Sequence, residues 1–442
     1  MISKHDYLSK LMTQQDAVAE ASRCLGCDDA PCRTGCPAAN DIVKFVRQIA
    51  QRNFRGAIKT VREANVLAGT CALICPVGEL CEFRCGDKLE RPIDIGALQR
   101  FVAEYERTHG MSLLPAKQSA GKSIGIIGSG PAGLSASFEL ARLGYNVEIH
   151  EAEQLPGGIL TYGIPSYRLD PEIVNDEIEY IKAMGVKIIT SSAIDDLKSF
   201  AGNYDAVFLG VGAYRSLPLN IKGEKFDGIF QASAYLKDIK VAQLSDKPPM
   251  INLGKEVIVI GGGNTAIDAA LSARFSGSAV NIFYRRRRVD MPAFRTEIAS
   301  AENNGVKFNF NYSPIEFLRA DKRVEAVFCR NKTGKIDRSG RPVPVQIEGS
   351  QESFRVDNIL IATGQGPTFR EIDLIKTDKR GLVIVDDATG ATSMPGVYAG
   401  GDAVNGGATA VQAVADGKKA AHGIDKYLSN SESNNCISGE PL

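Results

Sequence analysis

Ten cysteines dominate the chemistry available to this 442-residue chain, and eight of them lie between residues 24 and 85. The chain starts without the basic-then-apolar pattern of a signal peptide, so this density is typical of metal or redox centres rather than disulfides. The first run ends in Cys-Pro, as ferredoxin runs do, where the fourth cysteine crosses to the other cluster. The spacing is Cys24-x2-Cys27-x4-Cys32-x3-Cys36-Pro37, then Cys71-x3-Cys75-Pro76-x4-Cys81-x3-Cys85.

Two [4Fe–4S] clusters are the metal centres that this pattern predicts. Eight thiolates could instead hold two zinc ions, or pair as disulfides, but the redox context described below favours iron–sulfur. The second cluster has no obvious fourth ligand. Cys71 is the simple candidate, although it could equally be a buried thiol. The predicted ligands are Cys24, Cys27, Cys32 and Cys85 for the first cluster, and Cys36, Cys75 and Cys81 for the second.

Two glycine-rich turns each follow a β-branched apolar segment and precede a helical pattern, which is how dinucleotide pyrophosphates are bound. In the first, Gly128 permits the tight turn, Gly130 lets the backbone approach the pyrophosphate, and Gly133 lets the helix pack closely. An acid at residue 151, at the end of the next strand, suits the hydroxyls of a ribose. The predicted residues of this turn are Gly128, Gly130, Pro131, Ala132, Gly133 and Glu151.

The second turn is Gly261–Ala266, and the strand after it ends in arginine at the position where the strand after the first turn ends in Glu151. Guanidinium groups suit a ribose 2′-phosphate, so Arg285 and Arg286 predict NADPH, although charge runs elsewhere are usually solvated faces. A later strand ends in Ala-Thr-Gly, and we expect its end to lie beside the NADPH. The predicted NADPH residues are Gly261, Gly263, Asn264, Thr265, Ala266, Arg285, Arg286, Thr363 and Gly364.

Further segments favour FAD in the first site. A turn-rich stretch follows Glu151, and near the C-terminus a strand ends in Gly-Gly-Asp before a helix that begins at about Thr409. A helix N-terminus aimed at a flavin stabilises negative charge on the reduced ring, and Asp402 could bind the ribityl chain. These segments add Gly158, Ile159, Gly401, Asp402, Thr409 and Ala410 to the predicted FAD residues.

The elements that position these residues predict an α-helical, ferredoxin-like iron–sulfur domain followed by two Rossmann-like domains, with the FAD domain interrupted by the NADPH domain. Apolar residues at 42, 45, 46 and 49, then at 54, 57, 58 and 61, predict two helices broken near Arg52-Asn53 or Gly56. The predicted segments are 1–112 (iron–sulfur), 121–250 and 361–428 (FAD), 251–360 (NAD(P)H) and 429–442 (flexible tail).

Composition excludes several classes of function. Lys plus Arg and Asp plus Glu both total 52, and the resulting net charge of +0 argues against binding to nucleic acid through phosphate contacts. No apolar run is long enough to predict a membrane span, so a cytoplasmic location is expected.

The four histidines form no cluster, and no catalytic acid or base is predicted. They are His5, His109, His150 and His422.

With these motifs in place, the sequence resembles the glutamate synthase small-subunit family, which includes the flavoprotein part of dihydropyrimidine dehydrogenase. It is most similar to the flavoprotein subunits of the bacterial NAD(P)-dependent dihydropyrimidine dehydrogenases. The resemblance implies that hydride passes from NAD(P)H to FAD, and electrons then pass through the clusters to an FMN-containing partner. That partner would reduce uracil and thymine or, in glutamate synthase, make glutamate. The stretches that carry the resemblance are EASRCLGCDDAPC, RNFRGAIKTVREAN and RPIDIGALQRFV.

The resemblance also implies particular residues. Arg168 would contact FAD. The fused animal enzyme uses a glutamine as fourth ligand of its second cluster, and that position aligns here with Arg100, beside Gln99. Arginine stays protonated and is a poor iron ligand, so Cys71, Gln99 or no residue remain open as the ligand.

The expected function is therefore that of an electron-input subunit with a protein partner, because no stretch predicts a third flavin site or a substrate barrel. The branch is open. The bacterial pyrimidine enzymes are typically NADH-linked, with an acid soon after the arginine, whereas this chain has none before Asp290 and its Met291-Pro292 resembles glutamate synthase. The chain could also be a stand-alone diaphorase or bifurcating subunit that reduces ferredoxin or a quinone, or a non-catalytic redox sensor.

Overall fold

A computed structural model gives the fold of the chain, which divides into two compact units. The structure describes residues 11–86, 88, 90–110, 114–337, 340–367 and 374–437. Within them, the first unit contains residues 11–161, 166–213 and 366–437, and the second contains 162–165 and 214–365. None of the described helices is long and apolar enough to cross a membrane.

The secondary structure follows the order expected from the motifs. The helices are α1 Gln14–Ser22, α2 Pro31–Thr34, α3 Ile42–Ala50, α4 Phe54–Ala64, α5 Ala68–Ile74, α6 Cys81–Gly86, α7 Ile95–His109, α8 Pro131–Arg142, α9 Ile159–Tyr162, α10 Pro171–Ala183, α11 Leu197–Ala201, α12 Ala232–Ser245, α13 Asn264–Phe275, α14 Arg295–Asn303, α15 Asp402–Asn405 and α16 Ala410–Ile437. The strands are β1 Ser123–Ile127, β2 Asn146–His150, β3 Lys187–Ile189, β4 Ala206–Leu209, β5 Arg215–Ser216, β6 Ile229–Gln231, β7 Glu256–Ile260, β8 Ala279–Tyr284, β9 Lys307–Phe310, β10 Tyr312–Ala320, β11 Arg323–Ile336, β12 Pro342–Val356, β13 Asn358–Ile361, β14 Gln365–Gly366 and β15 Val397–Ala399.

Helices α1 to α7 pack around an apolar core at the start of the first unit. The predicted pair of helices is confirmed as α3 and α4. The break lies at Arg52, whose φ is +60°, and at Asn53, whose side chain accepts a hydrogen bond from the Gly56 backbone N–H at 2.9 Å. Gly56 therefore lies inside α4, because the asparagine cap begins the helix before the glycine is reached.

A five-stranded parallel sheet in the order β15-β4-β1-β2-β3 forms the rest of the first unit. Strand β15 arrives from the C-terminal part of the chain and pairs with β4. The sheet is thus completed only after the second unit has been traversed, which confirms the predicted interruption of one Rossmann-like domain by another.

The second unit contains a parallel sheet in the order β6-β13-β7-β8-β9 and an antiparallel sheet in the order β10-β11-β12. Strand β6 pairs with β13, so residues 214–250 belong with this unit rather than with the segment 121–250 to which the sequence assigned them. The sequence missed this boundary because β6 is short and its partner lies more than a hundred residues later in the chain.

Helix α16 packs along α8 through small residues. A Cβ atom at Gly417 would lie 2.2 Å from the Ala132 carbonyl oxygen, so only glycine permits this approach. The helix continues to Ile437, so the polar composition from residue 429 does not end it where a flexible tail was expected. Residues 438–442 lie outside the described residues.

Replacing Gly417 with alanine should lower the thermal midpoint, because the added methyl group must push α16 away from α8. Overpacking of this kind typically costs about 1–3 kcal/mol. Gly202→Ala is the matched control, since its nearest neighbour would be an ordinary 3.4 Å from the new Cβ. A thermal melt that shows equal midpoints for the two variants would contradict the packing argument.

Candidate functional site

The first group of thiols joins the two cysteine runs of the N-terminal helices. Burial, followed by the charges of the neighbouring thiols Cys85 and Cys24, raises the pKa of Cys32 to about 11. Cys85 in turn has its pKa raised by burial and then by Cys24 and Cys27. Cys85 therefore lies near the other three predicted ligands of the first cluster. A coordinating metal would reverse these shifts, because a ligating thiol is deprotonated.

Glycines allow the two runs to approach one another. A Cβ at Gly35 would lie 2.8 Å from the Leu80 carbonyl oxygen, so α2 and α6 could not pack as they do with a larger residue. Gly26, between two of the ligands, has a φ of +65°, which favours glycine. The crossing of the runs thus depends on backbone contact that only small residues permit.

The second group of thiols lines a cavity whose open space, including its mouth, is about 440 Å³. A hydrogen bond with Cys71, then burial, then the Cys36 and Cys81 thiols raise the pKa of Cys75. Burial likewise raises the pKa of Cys36 and of Cys81. The structure therefore brings together the three predicted ligands of the second cluster, with Cys71 beside them, around a space that could hold an inorganic cluster.

Gln99, and not Arg100, lines this cavity, together with Ile95 and Gly96 from the start of α7. Its amide Nε2 donates to the Ala68 carbonyl oxygen at 2.7 Å, which fixes the plane of the amide, and its Oε1 accepts from Asn40 at 3.4 Å. Arg100, which the resemblance placed at the ligand position, does not line the cavity. A helix turns about 100° per residue, so neighbouring residues of α7 lie on different faces of the helix.

Cys71 is buried and lines the same cavity as Cys75, so it stays a candidate for the fourth ligand beside Gln99. Within the described residues, no three His, Cys, Asp or Glu side chains are already arranged around a single metal position.

The first glycine turn has the geometry of a dinucleotide cradle. Gly128 has a φ of +95°, and a Cβ at Gly133 would lie 2.0 Å from the Gly128 carbonyl oxygen. A Cβ at Gly130, in contrast, would have no neighbour nearer than 4.0 Å, so this glycine borders open space where a pyrophosphate would fit. Pro131 and Ala132 begin α8. The loop after β2 approaches this turn, since a Cβ at Gly158 would lie 2.9 Å from the Gly130 Cα.

Glu151 is buried and already fastens this turn. Its carboxylate accepts hydrogen bonds from the Ser129 backbone N–H at 2.9 Å, from the Ser129 hydroxyl, and from the Glu153 N–H at 2.9 Å. The Ser129 hydroxyl also accepts from the Gly157 N–H at 3.0 Å. A carboxylate offers about four lone-pair sites, so Glu151 retains capacity for ribose hydroxyls. Ser129 is a positioning residue that the glycine pattern gave no reason to select.

The C-terminal part of the predicted flavin site is organised by a buried acid that the sequence did not single out. Asp416 accepts hydrogen bonds from the Gly401 N–H at 3.1 Å and from the Gln412 side chain at 3.2 Å. The Thr409 hydroxyl accepts from the Gln412 N–H at 3.1 Å and so caps α16, which begins at Ala410 as predicted. An acid nearly two turns inside a helix that follows a Gly-Gly-Asp strand end is the signal that could have found Asp416.

The remaining predicted flavin residues lie in the same unit. Asp402 begins α15, accepts from the Ala408 N–H at 3.2 Å, and has its pKa raised by burial. Ile159 begins α9, and Arg168 is buried. Their contact with a flavin stays a prediction.

The second glycine turn repeats the first. Gly261 has a φ of +154°, and a Cβ there would lie 2.3 Å from the Ala362 carbonyl oxygen, whereas one at Gly263 would have no neighbour nearer than 4.0 Å. The Asn264 side chain accepts from the Phe294 N–H at 3.0 Å, and α13 continues through Thr265 and Ala266. Nearby in this unit, the Gly364 carbonyl oxygen accepts from the Leu217 N–H at 3.0 Å, and the Thr363 hydroxyl donates to the Leu217 carbonyl oxygen at 3.3 Å.

The arginine run after β8 divides into different roles. Arg286 is buried; its Nε donates to the Pro342 carbonyl oxygen at 2.7 Å and its Nη2 pairs with Asp337 at 3.1 Å. This corrects the expectation that Arg286 binds a phosphate, because its guanidinium anchors the β11–β12 hairpin instead. Arg287 pairs with Asp290 at 2.8 Å and Arg288 with Glu302 at 2.7 Å.

Arg285 remains as the candidate for a 2′-phosphate. Its side chain is exposed, and no side-chain hydrogen bond or ion pair engages its guanidinium among the residues that the structure describes. Desolvation and the nearby charges of Arg286 and Arg341 lower its pKa. An anion bound there would offset that repulsion. Asn331 of the hairpin donates to the Arg285 carbonyl oxygen at 2.9 Å and so fixes the backbone from which the side chain projects.

Comparison with known families accounts for nearly the whole chain. A family model described as pyridine nucleotide-disulphide oxidoreductase matches residues 122–417, and one described as dihydropyrimidine dehydrogenase domain II, 4Fe-4S cluster, matches residues 2–111. Among solved structures, Mycobacterium tuberculosis FprA in complex with NADPH has a TM-score of 0.60 at 20% identity, over 72% of this chain and 87% of that one. At that identity the match shows the fold alone.

Three curated relatives are similar over most of this chain. The NADP(+)-dependent formate dehydrogenase subunit beta of Moorella thermoacetica is 37% identical over 430 residues, which is 90% of this chain but only 60% of that protein. The NAD-dependent dihydropyrimidine dehydrogenase subunit PreT of Salmonella typhimurium is 34% identical, over 96% of this chain and 98% of that subunit. The glutamate synthase [NADPH] small chain of Escherichia coli is 32% identical, over 94% and 92%.

Arg285→Gln should raise the KM for NADPH by roughly 10- to 100-fold, because a hydrogen bond to a charged group contributes about 1.5–3 kcal/mol. The KM for NADH should change little, since NADH lacks the 2′-phosphate. Arg287→Gln is the control, because that arginine is also exposed but already paired with Asp290. Equal KM values for the two variants in steady-state assays would refute the assignment.

Cys75→Ser should remove iron from the protein, whereas Cys71→Ser should leave the iron content per chain unchanged if Gln99, whose amide is already oriented in the cavity, is the fourth ligand. Gln99→Leu should alter the low-temperature electron paramagnetic resonance (EPR) spectrum of the reduced protein. Iron analysis of anaerobically purified variants provides the first measurement. Iron loss in Cys71→Ser with none in Gln99→Leu would reverse the ligand assignment.

Proposed function

Because this chain belongs to the pyridine nucleotide-disulphide oxidoreductase family and carries an iron–sulfur domain of the dihydropyrimidine dehydrogenase type, we propose that it is an electron-input subunit. It is an oxidoreductase whose family binds FAD and NAD(P). In the proposed activity it oxidises NADPH with FAD and delivers electrons through two [4Fe–4S] clusters to an FMN-containing catalytic partner.

One observation carries the proposal. Val411, in the first turn of the predicted flavin helix α16, lines the same cavity as Cys36, Cys75 and Cys81. The helix that would face the flavin therefore also borders the space that would hold the second cluster. Lys418 of α16 strengthens this junction by donating to the Ala64 carbonyl oxygen at 3.4 Å. Electron transfer between a flavin and a cluster needs such proximity.

The residues of the chain bind and orient rather than transfer protons. FAD, when bound, supplies the chemistry that accepts a hydride and releases electrons singly, which iron–sulfur clusters can carry. The turn at Gly261–Ala266 and the Arg285 side chain would hold NADPH, while the turn at Gly128–Gly133 and Glu151 would hold FAD. Asp402 and the N-terminus of α16 would stabilise negative charge near the flavin. Such hydride transfer depends on positioning, so no acid or base is assigned.

Reduction of uracil and thymine is the overall reaction that we propose for the assembled enzyme. The support is the iron–sulfur model matched by residues 2–111 and the near full-length similarity to a dihydropyrimidine dehydrogenase subunit. The second candidate is the glutamate synthase small subunit. It is favoured by the arginine run with Met291-Pro292 and by the similarity to a chain named for NADPH.

The relatives carry the names of subunits of three different enzymes. That breadth supports a common input module whose partner decides the final substrate. A stand-alone diaphorase with ferredoxin or a quinone as acceptor would need no such partner, and a redox sensor would need no turnover.

Affinity purification of the chain from its native cell, followed by mass spectrometry, tests the partner. An FMN-containing protein that reduces uracil when mixed with this chain and NADPH would support the proposal. A large glutamine amidotransferase would replace it with the glutamate synthase function. Recovery of the chain alone, with rapid NADPH-dependent reduction of ferredoxin or a quinone, would favour the diaphorase. Absence of NADPH oxidation with any artificial acceptor would favour the sensor.

A further inference from the structure

A buried ionic group joins the N-terminal helices to the helix α10 that follows the first nucleotide turn. Glu177 of α10 is 1% exposed and its Oε1 lies 3.3 Å from Nη1 of Arg62. The Arg62 guanidinium also pairs with Glu106 at 2.9 Å, donates to the Val66 carbonyl oxygen, and lies over the Tyr180 ring at 4.8 Å. Breaking such a buried pair is costly, so the group fixes the relative position of these helices.

Glu177 does more than neutralise Arg62. Its Oε1 accepts a hydrogen bond from the Gly69 backbone N–H at 2.7 Å, and its Oε2 accepts from the Thr70 N–H at 3.3 Å. These two N–H groups belong to the first turn of α5, where a helix has no internal acceptors for them. A Cβ at Gly69 would lie 3.0 Å from Ile173 of α10, so glycine permits the close approach.

The turn that Glu177 holds is also the turn that positions the second group of thiols. The carbonyl oxygen of Ala68, the residue before Gly69, accepts the hydrogen bond that orients Gln99. Helix α5 then carries Cys71 and ends at Cys75. Displacement of this turn would therefore move a cysteine ligand and the glutamine amide together.

We propose that Glu177 is a positioning residue for the second cluster: its carboxylate, contributed by the flavin-binding part of the first unit, fixes the turn that sets Cys75 and Gln99. The inference rests on the proposed function, because it requires that the second cavity hold a cluster. Helix α10 belongs neither to the nucleotide motifs nor to the cysteine runs, so this role is new for it. The geometry of the second cluster site then depends on α10, in the part of the chain proposed to bind FAD, as well as on the helices that carry the cysteines.

Glu177→Gln and Glu106→Gln form a matched pair for the test, because each removes one negative charge from the same arginine. Only the change at position 177 replaces an acceptor facing the Thr70 N–H with an NH2 donor. We expect the Glu177→Gln protein, reduced under anaerobic conditions, to show an altered low-temperature EPR signal, while Glu106→Gln matches the wild type. Glu177→Ala should lose one cluster, so that iron per FAD falls by about half.

The outcomes separate the inference from the proposed function. A wild-type chain with FAD but no iron, or with iron for one cluster only, would defeat the two-cluster function itself. A wild-type chain with both clusters, and EPR spectra of Glu177→Gln and Glu106→Gln that are the same as each other, would overturn the positioning role alone. If Glu177→Ala does not fold, the isosteric pair still decides the question.

Discussion

Each thiol group in the N-terminal helices draws its members from both cysteine runs, and this interleaving is the constraint on which the first unit depends. Cys36 leaves its own run to join Cys75 and Cys81, while Cys85 returns to the first group. Helices α2 and α6 must therefore pack closely, and Gly35 is required where the backbones meet. The short helices bury little apolar surface of their own, so bound clusters would contribute stability as well as electron transfer.

The junction with the first nucleotide-binding sheet serves the same constraint. Helix α16 borders the second cavity through Val411, and α10 reaches the turn before Cys71 through Glu177. One contact is apolar and the other is ionic, yet both connect the part of the chain that would bind a flavin to the thiols that would receive its electrons. Rigid packing at this junction suits electron transfer, which depends on a fixed distance between carriers.

The two glycine turns share one backbone geometry but differ in the charge placed beside it. In both, the first glycine has a left-handed conformation, and the second borders open space. What differs is the residue at the end of the second strand. Glu151 is buried and bonded to the turn itself, whereas Arg285 is exposed with its charge uncompensated by any ion pair in the described part of the chain. In the proposed function, charge at these equivalent positions would distinguish a neutral ribose from a ribose phosphate.

The sequence by itself determined the features that depend on local spacing: the two turns, the paired helices α3 and α4, and the interruption of one Rossmann-like domain by another. Each follows from neighbours in the chain, where residue type dictates backbone conformation or ligand spacing. Tertiary structure alone decided that Arg286 is an anchor, because Asp337 and Pro342 lie some fifty residues away. It also decided that Gln99 rather than Arg100 faces the cavity, because that depends on how α7 is rotated against α5. Arg285 and Arg286 are the same residue type in one run, and they differ because packing buries Arg286 and leaves Arg285 exposed.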